Sequence, residues 1–228
     1  SSPSRGLGDV YKRQAFGEEP AELKYYRFME YDWKGVPLVI SRTGWSSELG
    51  YEIFLRDGAS GSALWDYLMD VGGPMGLKPG HTSSIRRIEA AMLSYHADMT
   101  LKNNPFELGM DRLVDLDMEI DFVSKAALTR IRDEGVSQLQ VGLVFDGAPI
   151  SGSNDEYWPV LVDGQKVGQV TSAVYSPRLE QNIALALVAV AHAGIGTKAM
   201  IDMSGEPRGC EIVQKPFFDP KKAIAAKG

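Results

Sequence analysis

The chain has 228 residues, 44% of them apolar, and carries 24 lysines and arginines against 30 aspartates and glutamates for a formal net charge of −6. That apolar content supports a packed core and argues against global disorder, and an acidic surface gives no reason to expect nucleic acid or an anionic membrane as partner. No run of ~18 apolar residues suits a membrane span and no apolar leader opens the sequence, so a reducing, cytoplasmic setting is expected, with the single Cys210 read as a buried inert thiol.

Residues 1–14, SSPSRGLGDVYKRQ, show no apolar period and no helix cap, and are read as a non-native, vector- or adapter-derived prefix. From Tyr25 to Trp33 apolar and polar residues roughly alternate, Lys34-Gly35 suits a turn, and Pro37 to Ser41 is a short apolar run, which together predict a hairpin. Tyr51 to Leu55 is a further strand. Ala63, Leu64, Tyr67, Leu68 and Val71 lie at helical spacing before Gly72-Gly73-Pro74, so Ser60 to Val71 reads as a helix. Thr82 or Ser83 can cap a second helix whose stripe is Ile85, Ile88, Met92 and Tyr95, with Ala91 beside it. Asp121 to Gly135 predicts a third, with Val123, Ala127, Leu128 and Ile131 as its apolar positions and Gly135 as its C-cap.

Beyond Gly135 the period changes. Strand-like runs cover Leu139 to Phe145, Pro159 to Val162, Val167 to Val174, Ile183 to Val190, Lys198 to Met203 and Cys210 to Val213, and Asp163-Gly164 is a hairpin signal. Roughly six short strands with turn residues between them predict a compact β-barrel or sandwich. The fold class is therefore α+β, with a domain boundary near Glu134 to Ser137. His81, His96 and His192 are not spaced as a metal pair, and no metal site is expected.

The segment Thr43 to Phe54, TGWSSELGYEIF, resembles a G-Y-T-G-E-D-G-[FY]-E-I pattern through Gly44, Glu48, Gly50, Tyr51, Glu52 and Ile53. Arg87 to Ala91 resembles R-L-E-A-G, Leu93 to Asp98 resembles L-Y-G-N-D, and Asn104 to Gly109 resembles T-P-x-E-A-G-L. Asp121 to Leu128 resembles D-F-I-G-K-x-A-L, Val167 to Pro177 resembles G-x-V-T-S-G-x-x-S-P, and Pro216-Phe217 a terminal P-F. These are the motifs of the glycine-cleavage T-protein, or aminomethyltransferase, family, in the family's order over about Tyr25 to Phe218. The resemblance implies a partial folate-binding domain over residues 15–135, a C-terminal barrel over 136–228, tetrahydrofolate as cofactor, and transfer of a one-carbon group from a small-molecule substrate.

Within the family, Trp45-Ser46-Ser47, the Ser94 to Thr100 run, Asn103-Asn104-Pro105 and Thr171 to Leu179 resemble its dimethylsulfoniopropionate demethylases. Ser83 stands where aminomethyltransferases carry an arginine, and the tyrosine they carry just past the terminal P-F is missing, because Phe218-Asp219-Pro220 follows. The alternatives are aminomethyl transfer from a lipoyl carrier protein, the folate module of a sarcosine or dimethylglycine dehydrogenase, and a non-enzymatic folate-binding relative. In the family, the groups that hold the migrating carbon, including an aspartate, lie largely in an N-terminal segment with no counterpart among these residues. Catalytic residues are therefore not assigned, and the isolated chain is expected to be weakly active or inactive.

Methyl transfer from a sulfonium to a folate nitrogen displaces a good neutral leaving group, so it can proceed by positioning the reactants, without a metal or covalent nucleophile. The resemblance places Glu52 on the pterin, where one carboxylate can accept adjacent N–H groups side by side; the bland reading is a surface carboxylate. On a strand Phe54 shares the Glu52 face and can pack beside a ligand, while Tyr51 faces the core. Trp45 suits ring stacking, a sulfonium, or plain packing. Glu48 orients the loop or is solvated. Arg87 matches a family arginine and reads as a ligand contact or a structural ion pair, with Arg86 beside it. Tyr95 ends the stripe as a core residue. Tyr175 and Arg178 lie in the barrel segment that faces the folate in the family, where Arg178 meets a carboxylate of the ligand or stays in a surface turn.

Overall fold

The computed structural model describes residues 13–226, which fall into two compact units: residues 13–83 with 221–226, and residues 84–220. Residues 1–12, most of the suspected prefix, lie outside the described residues, while Arg13 and Gln14 are helical.

In the first unit, residues 13–16 and α1 (Glu18–Ala21) precede an antiparallel sheet of β1 (Phe28–Trp33), β2 (Val36–Ser41) and β3 (Glu52–Leu55), in that order across the sheet. The hairpin turn uses the left-handed backbone expected of a two-residue connection, with φ 55° at Lys34 and 83° at Gly35. Alternation then sorts the side chains. Met29, Tyr31, Trp33, Leu38, Ile40, Ile53 and Leu55 pack inward with Phe16 and with Leu64, Tyr67 and Leu68 of α2 (Gly61–Gly72). The opposite face presents Phe28, Glu30, Val39, Glu52 and Phe54, with Glu30 opposite Val39 and Val39 opposite Phe54. A terminal helical turn, Ala223–Ala226, receives the Arg42 guanidinium on the Ala225 carbonyl at 3.4 Å, and that guanidinium also donates to Leu23 O at 2.9 Å.

The second unit is built on a closed, wholly antiparallel barrel: β4 (Gln138–Phe145), β5 (Trp158–Val162), β6 (Gln165–Ser176), β7 (Gln181–Ala189), β8 (Lys198–Met203) and β9 (Glu206–Val213), arranged β4-β7-β6-β5-β8-β9. The barrel alternative of the sequence reading is therefore the one observed. Its interior holds Val141, Leu143, Phe145, Val160, Val170, Ala173, Ala184, Ala186, Ile201, Cys210 and Ile212. The Asp163-Gly164 turn between β5 and β6 has φ values of 50° and 76°. Outside the barrel, α3 (Ser84–Glu89) lays Ile88 against Val174, Ile183 and Leu185, joined by Leu93, Val144 and Phe217. The strands begin at Gln138, where the period was seen to change, whereas the compact units part at Ser83, because α3 packs on the barrel.

Two helices are shorter than their patterns suggested. The second ends at Glu89; Ala91 turns left-handed at φ 53°, so Met92 and Tyr95 never join the stripe, and Tyr95 is exposed rather than core. The third, α4 (Lys125–Glu134), starts after a left-handed Ser124, leaving Val123 93% exposed ahead of it. Its predicted C-cap stands, with Gly135 at φ 82°.

Candidate functional site

Strand β3 is too short to bury both faces, and its alternation decides which residues meet solvent. Ile53 and Leu55 anchor it in the first unit's core, so Glu52 and Phe54 project together from the other face, Phe54 being 53% exposed. Glu52 stands opposite Ser41 of β2, and the Thr43 hydroxyl donates to Glu52 Oε2 while itself lying 3.0 Å from Ser41 Oγ. The carboxylate is thus held by one oxygen, and among the described residues its other oxygen has no partner. An exposed, half-anchored carboxylate beside an exposed ring suits a flat heterocycle that carries adjacent N–H donors. Thr43 was not among the residues singled out from sequence, although it opens the quoted motif and sits two residues beyond the strand partner of Glu52.

Tyr51 takes the inward face as expected: it packs against the core, its hydroxyl donates to Ala21 O at 3.2 Å, and the Arg42 guanidinium lies 5.7 Å from its ring centroid. Trp45, in the loop between β2 and β3, is 38% exposed. In that loop the Glu48 backbone N–H reaches Ser46 Oγ at 3.4 Å, and Ser47 is left-handed at φ 52°.

The remaining candidates belong to the second unit. Arg87 is buried and its guanidinium is engaged at several points: Asp98 Oδ2 at 2.8 Å, Ser172 Oγ at 2.9 Å and Met92 O at 3.3 Å. Asp98, itself buried, also accepts the Ser94 N–H at 2.9 Å and the Thr171 hydroxyl at 2.6 Å. This is the ion-pair reading of Arg87: a clamp that ties α3 and the 94–98 loop to β6. Arg178 lies 3.6 Å from buried Glu89 and 4.0 Å above the Phe218 ring, so it braces the C-terminal end of the unit rather than standing in a free surface turn. Glu89 also accepts the Ser176 hydroxyl at 2.6 Å, and its carbonyl receives the Phe218 N–H at 3.0 Å. Arg86 reaches the same carboxylate at 3.6 Å. Tyr175, near the end of β6 opposite Asn182, is half-buried.

Two groups in this unit have shifted acidities. Burial pushes the Cys210 thiol up to about 11, in keeping with an inert core sulfur. Burial pushes the Lys215 ammonium down to about 8, opposed by the nearby Asp98 carboxylate; its Nζ donates to Gln140 O at 2.7 Å. Sequence reading missed Lys215, whose burial depends on the loops folded over it and leaves no local pattern. Among the described residues no group of three or more His, Cys, Asp or Glu is placed to hold a metal ion, and no helix is long and apolar enough to cross a membrane.

Residues 12–118 match the GCVT N-terminal domain, and residues 139–219 match the glycine cleavage T-protein C-terminal barrel domain. The chain belongs to the glycine-cleavage T-protein family. It is 34% identical over 189 residues to a protein of Ruegeria pomeroyi named dimethylsulfoniopropionate demethylase DmdA, a match covering 83% of this chain and 51% of that one. It is 38% identical over 203 residues to an aminomethyltransferase of Synechococcus sp., covering 89% and 55%. The crystal structure of the glycine cleavage system aminomethyltransferase T from Bartonella henselae shares the fold, with a TM-score of 0.76 at 20% identity over 93% of this chain and 57% of that one. The chain thus spans about half the length of the curated relatives it matches. Its α+β architecture ending in a closed six-stranded barrel is that of the T-protein family.

Proposed function

We propose that this chain forms part of a tetrahydrofolate-dependent transferase that moves a methyl group from dimethylsulfoniopropionate to the folate, with Glu52 holding the pterin edge. The observation that carries the reading is Glu52 itself: it stands at the motif's glutamate position, anchored by Thr43 through one oxygen and open through the other, beside exposed Phe54. When bound, tetrahydrofolate supplies the nitrogen that accepts the one-carbon unit; the chain's part is to orient that ring and keep it in place. The similarity to the Ruegeria pomeroyi demethylase and the Trp45-Ser46-Ser47 variant support the sulfonium donor. Trp45 offers an aromatic face that attracts a soft cation. In this reading residues 15–135 are the partial folate-binding domain and 136–228 the barrel domain, while Arg87 and Arg178 serve the packing of the second unit. A second reading, aminomethyl transfer from a lipoyl carrier protein, draws on the relatives named aminomethyltransferase.

Titration of the chain with tetrahydrofolate, followed calorimetrically, tests the pterin role. Loss of a charge-assisted hydrogen-bond acceptor in Glu52→Ala is expected to weaken binding about ten-fold or more. Unchanged affinity in that variant removes Glu52 from the site. For the donor, methyl-folate formed from the sulfonium and lost in Glu52→Ala supports demethylation, whereas methylene-folate and ammonia from an aminomethylated lipoyl protein support the second reading. Turnover is expected to be slow, and full turnover by the 228-residue chain would contradict the expectation that the carbon-holding groups lie elsewhere.

A further inference from the structure

The second unit carries a groove of about 470 Å³ that none of the preceding argument uses. It runs between the 97–103 loop and the outer surface of β6, and Lys102 and Lys166 stand on its walls. Both side chains are exposed, and among the described residues neither ammonium has a carboxylate partner. That is unusual company for two lysines in a chain of net charge −6, where acidic side chains are the more numerous.

The acid that lines the groove is turned inward and neutralised, while the exposed Asp155 and Glu156 line a neighbouring hollow on the far side of Tyr157. Asp98 reaches the groove floor, but Arg87, the Ser94 N–H and the Thr171 hydroxyl occupy its oxygens. Glu107 lies buried behind the wall, where it draws the amides of Asn103 and Gln138 at 3.1 and 3.4 Å. The Tyr157 hydroxyl is spent on the carbonyls of His96 and Ala97. The charges left lining the groove are therefore two ammoniums, with the half-buried Gln169 also on its wall. Part of the floor is bare backbone: a β-carbon at Gly168 would lie 2.3 Å from Leu187 O, so the residue there must be glycine.

We infer that this groove is an oxyanion-binding site, taking a ligand with two or more carboxylate or phosphate groups that pair with Lys102 and Lys166. Lysines present point charges rather than planar forks, so they accept either class of oxyanion, and paired cations on a concave wall favour a ligand with spaced charges over a single ion. The site is independent of Glu52 and of the donor question.

The test uses the whole chain at low ionic strength, titrated with tri-γ-glutamate and, separately, with inorganic phosphate, and followed by amide chemical shifts. Shifts confined to the 97–103 loop and β6 are expected. Tri-γ-glutamate binding more tightly than phosphate supports a ligand with spaced charges, and the reverse order overturns that preference. The double variant Lys102→Glu/Lys166→Glu is expected to lose about ten-fold or more in affinity, and Lys78→Glu, a charge reversal at one exposed lysine of the first unit, is expected to lose little. Both lysines of the double variant are exposed, so the variant should keep the parent circular dichroism and melting temperature. The inference is overturned if neither probe shifts the groove residues, or if Lys78→Glu weakens binding as much as the double variant.

Discussion

The pair Arg87 and Asp98 shows how one residue type can be read two ways and settled by burial. Each is almost fully enclosed, each makes several hydrogen bonds, and the two are 2.8 Å apart. Removing one partner leaves the other charge buried without compensation, which typically costs about 3–5 kcal/mol. Asp98→Ala is therefore expected to lower the unfolding free energy of the second unit, read from its urea transition, by that order, and Arg87→Ala likewise. A double variant should be less destabilised than the sum of the singles, since each single change strands a charge. A loss below about 1 kcal/mol in either single variant would mean that water reaches the pair and that the clamp contributes little.

Lys215 gives a pH prediction at the same scale. Its folded value of about 8 lies below its ordinary 10.5, so the unfolded chain binds more protons between those limits. Stability then rises with pH through that window; the burial penalty is complete below about 8 and gone above 10.5. Tyr25 acts in the opposite sense at higher pH, because burial raises it to about 12 and folding then favours its protonated form above 10. Cys210, raised by burial from 9.0 to about 11, likewise lowers stability above pH 9. The clean interval is thus pH 8 to 9, over which the urea midpoint should rise in the parent and stay flat in Lys215→Met. A parent midpoint that is flat there would show that the ammonium keeps its solvent on folding.

At the scale of elements, the barrel was the most legible part. Every predicted strand run after Gly135 lies in an observed strand, apart from Val190 at one end, because each is a short apolar or alternating run set off by turn residues. The hairpin of β1 and β2 was legible for the same reason. The helices were read too long where left-handed residues intervene: Ala91 and Ser124 carry no glycine signal, and the Ile85/Ile88/Met92/Tyr95 spacing continues past a chain that has already turned. The site was legible only where a motif and a strand period coincide, as at Glu52 and Phe54. Its supports, Thr43 for Glu52 and Ser172 for Arg87, come from contacts that no local spacing encodes.

Two glycines of the barrel separate shape from conformation. At Gly168 the limit is space: a β-carbon would meet Leu187 O at 2.3 Å and Val188 Cα at 2.8 Å, both backbone atoms of β7 that cannot step aside. At Gly164 nothing lies within 4 Å, and the limit is its φ of 76°. Gly164→Ala should therefore cost about 1 kcal/mol through backbone strain, and Gly168→Ala about 2 kcal/mol or more through overpacking that pries β6 from β7. Chemical denaturation of the two variants checks the order. Equal losses would mean that the β6–β7 approach relaxes readily around an added methyl.

At the scale of the molecule, the first unit exposes a feature that the barrel has eliminated by closing. Its sheet ends at β1, which pairs with β2 on one side and, among the described residues, with no strand on the other. The solvent face beside that edge is apolar in part: Phe28 is 69% exposed and Phe54 53%, with Val39 between them in register. An open edge with unpaired N–H and C=O groups next to exposed rings is a template for strand pairing between copies. The charges that would resist it are sparse on β1, where Glu30 is committed to Arg56 at 2.6 Å. The chain is thus expected to associate as its concentration rises, with light scattering after size exclusion giving a mass that grows with loading. Phe28→Lys places a charge on the edge without touching the core, and should return the mass to that of a monomer while leaving the circular dichroism unchanged. Glu52→Ala, on the same face but away from the β1 edge, should not have that effect. If Phe28→Lys associates as readily as the parent, the contact lies elsewhere, and the exposed Leu101 and Val123 of the second unit become the surface to alter next.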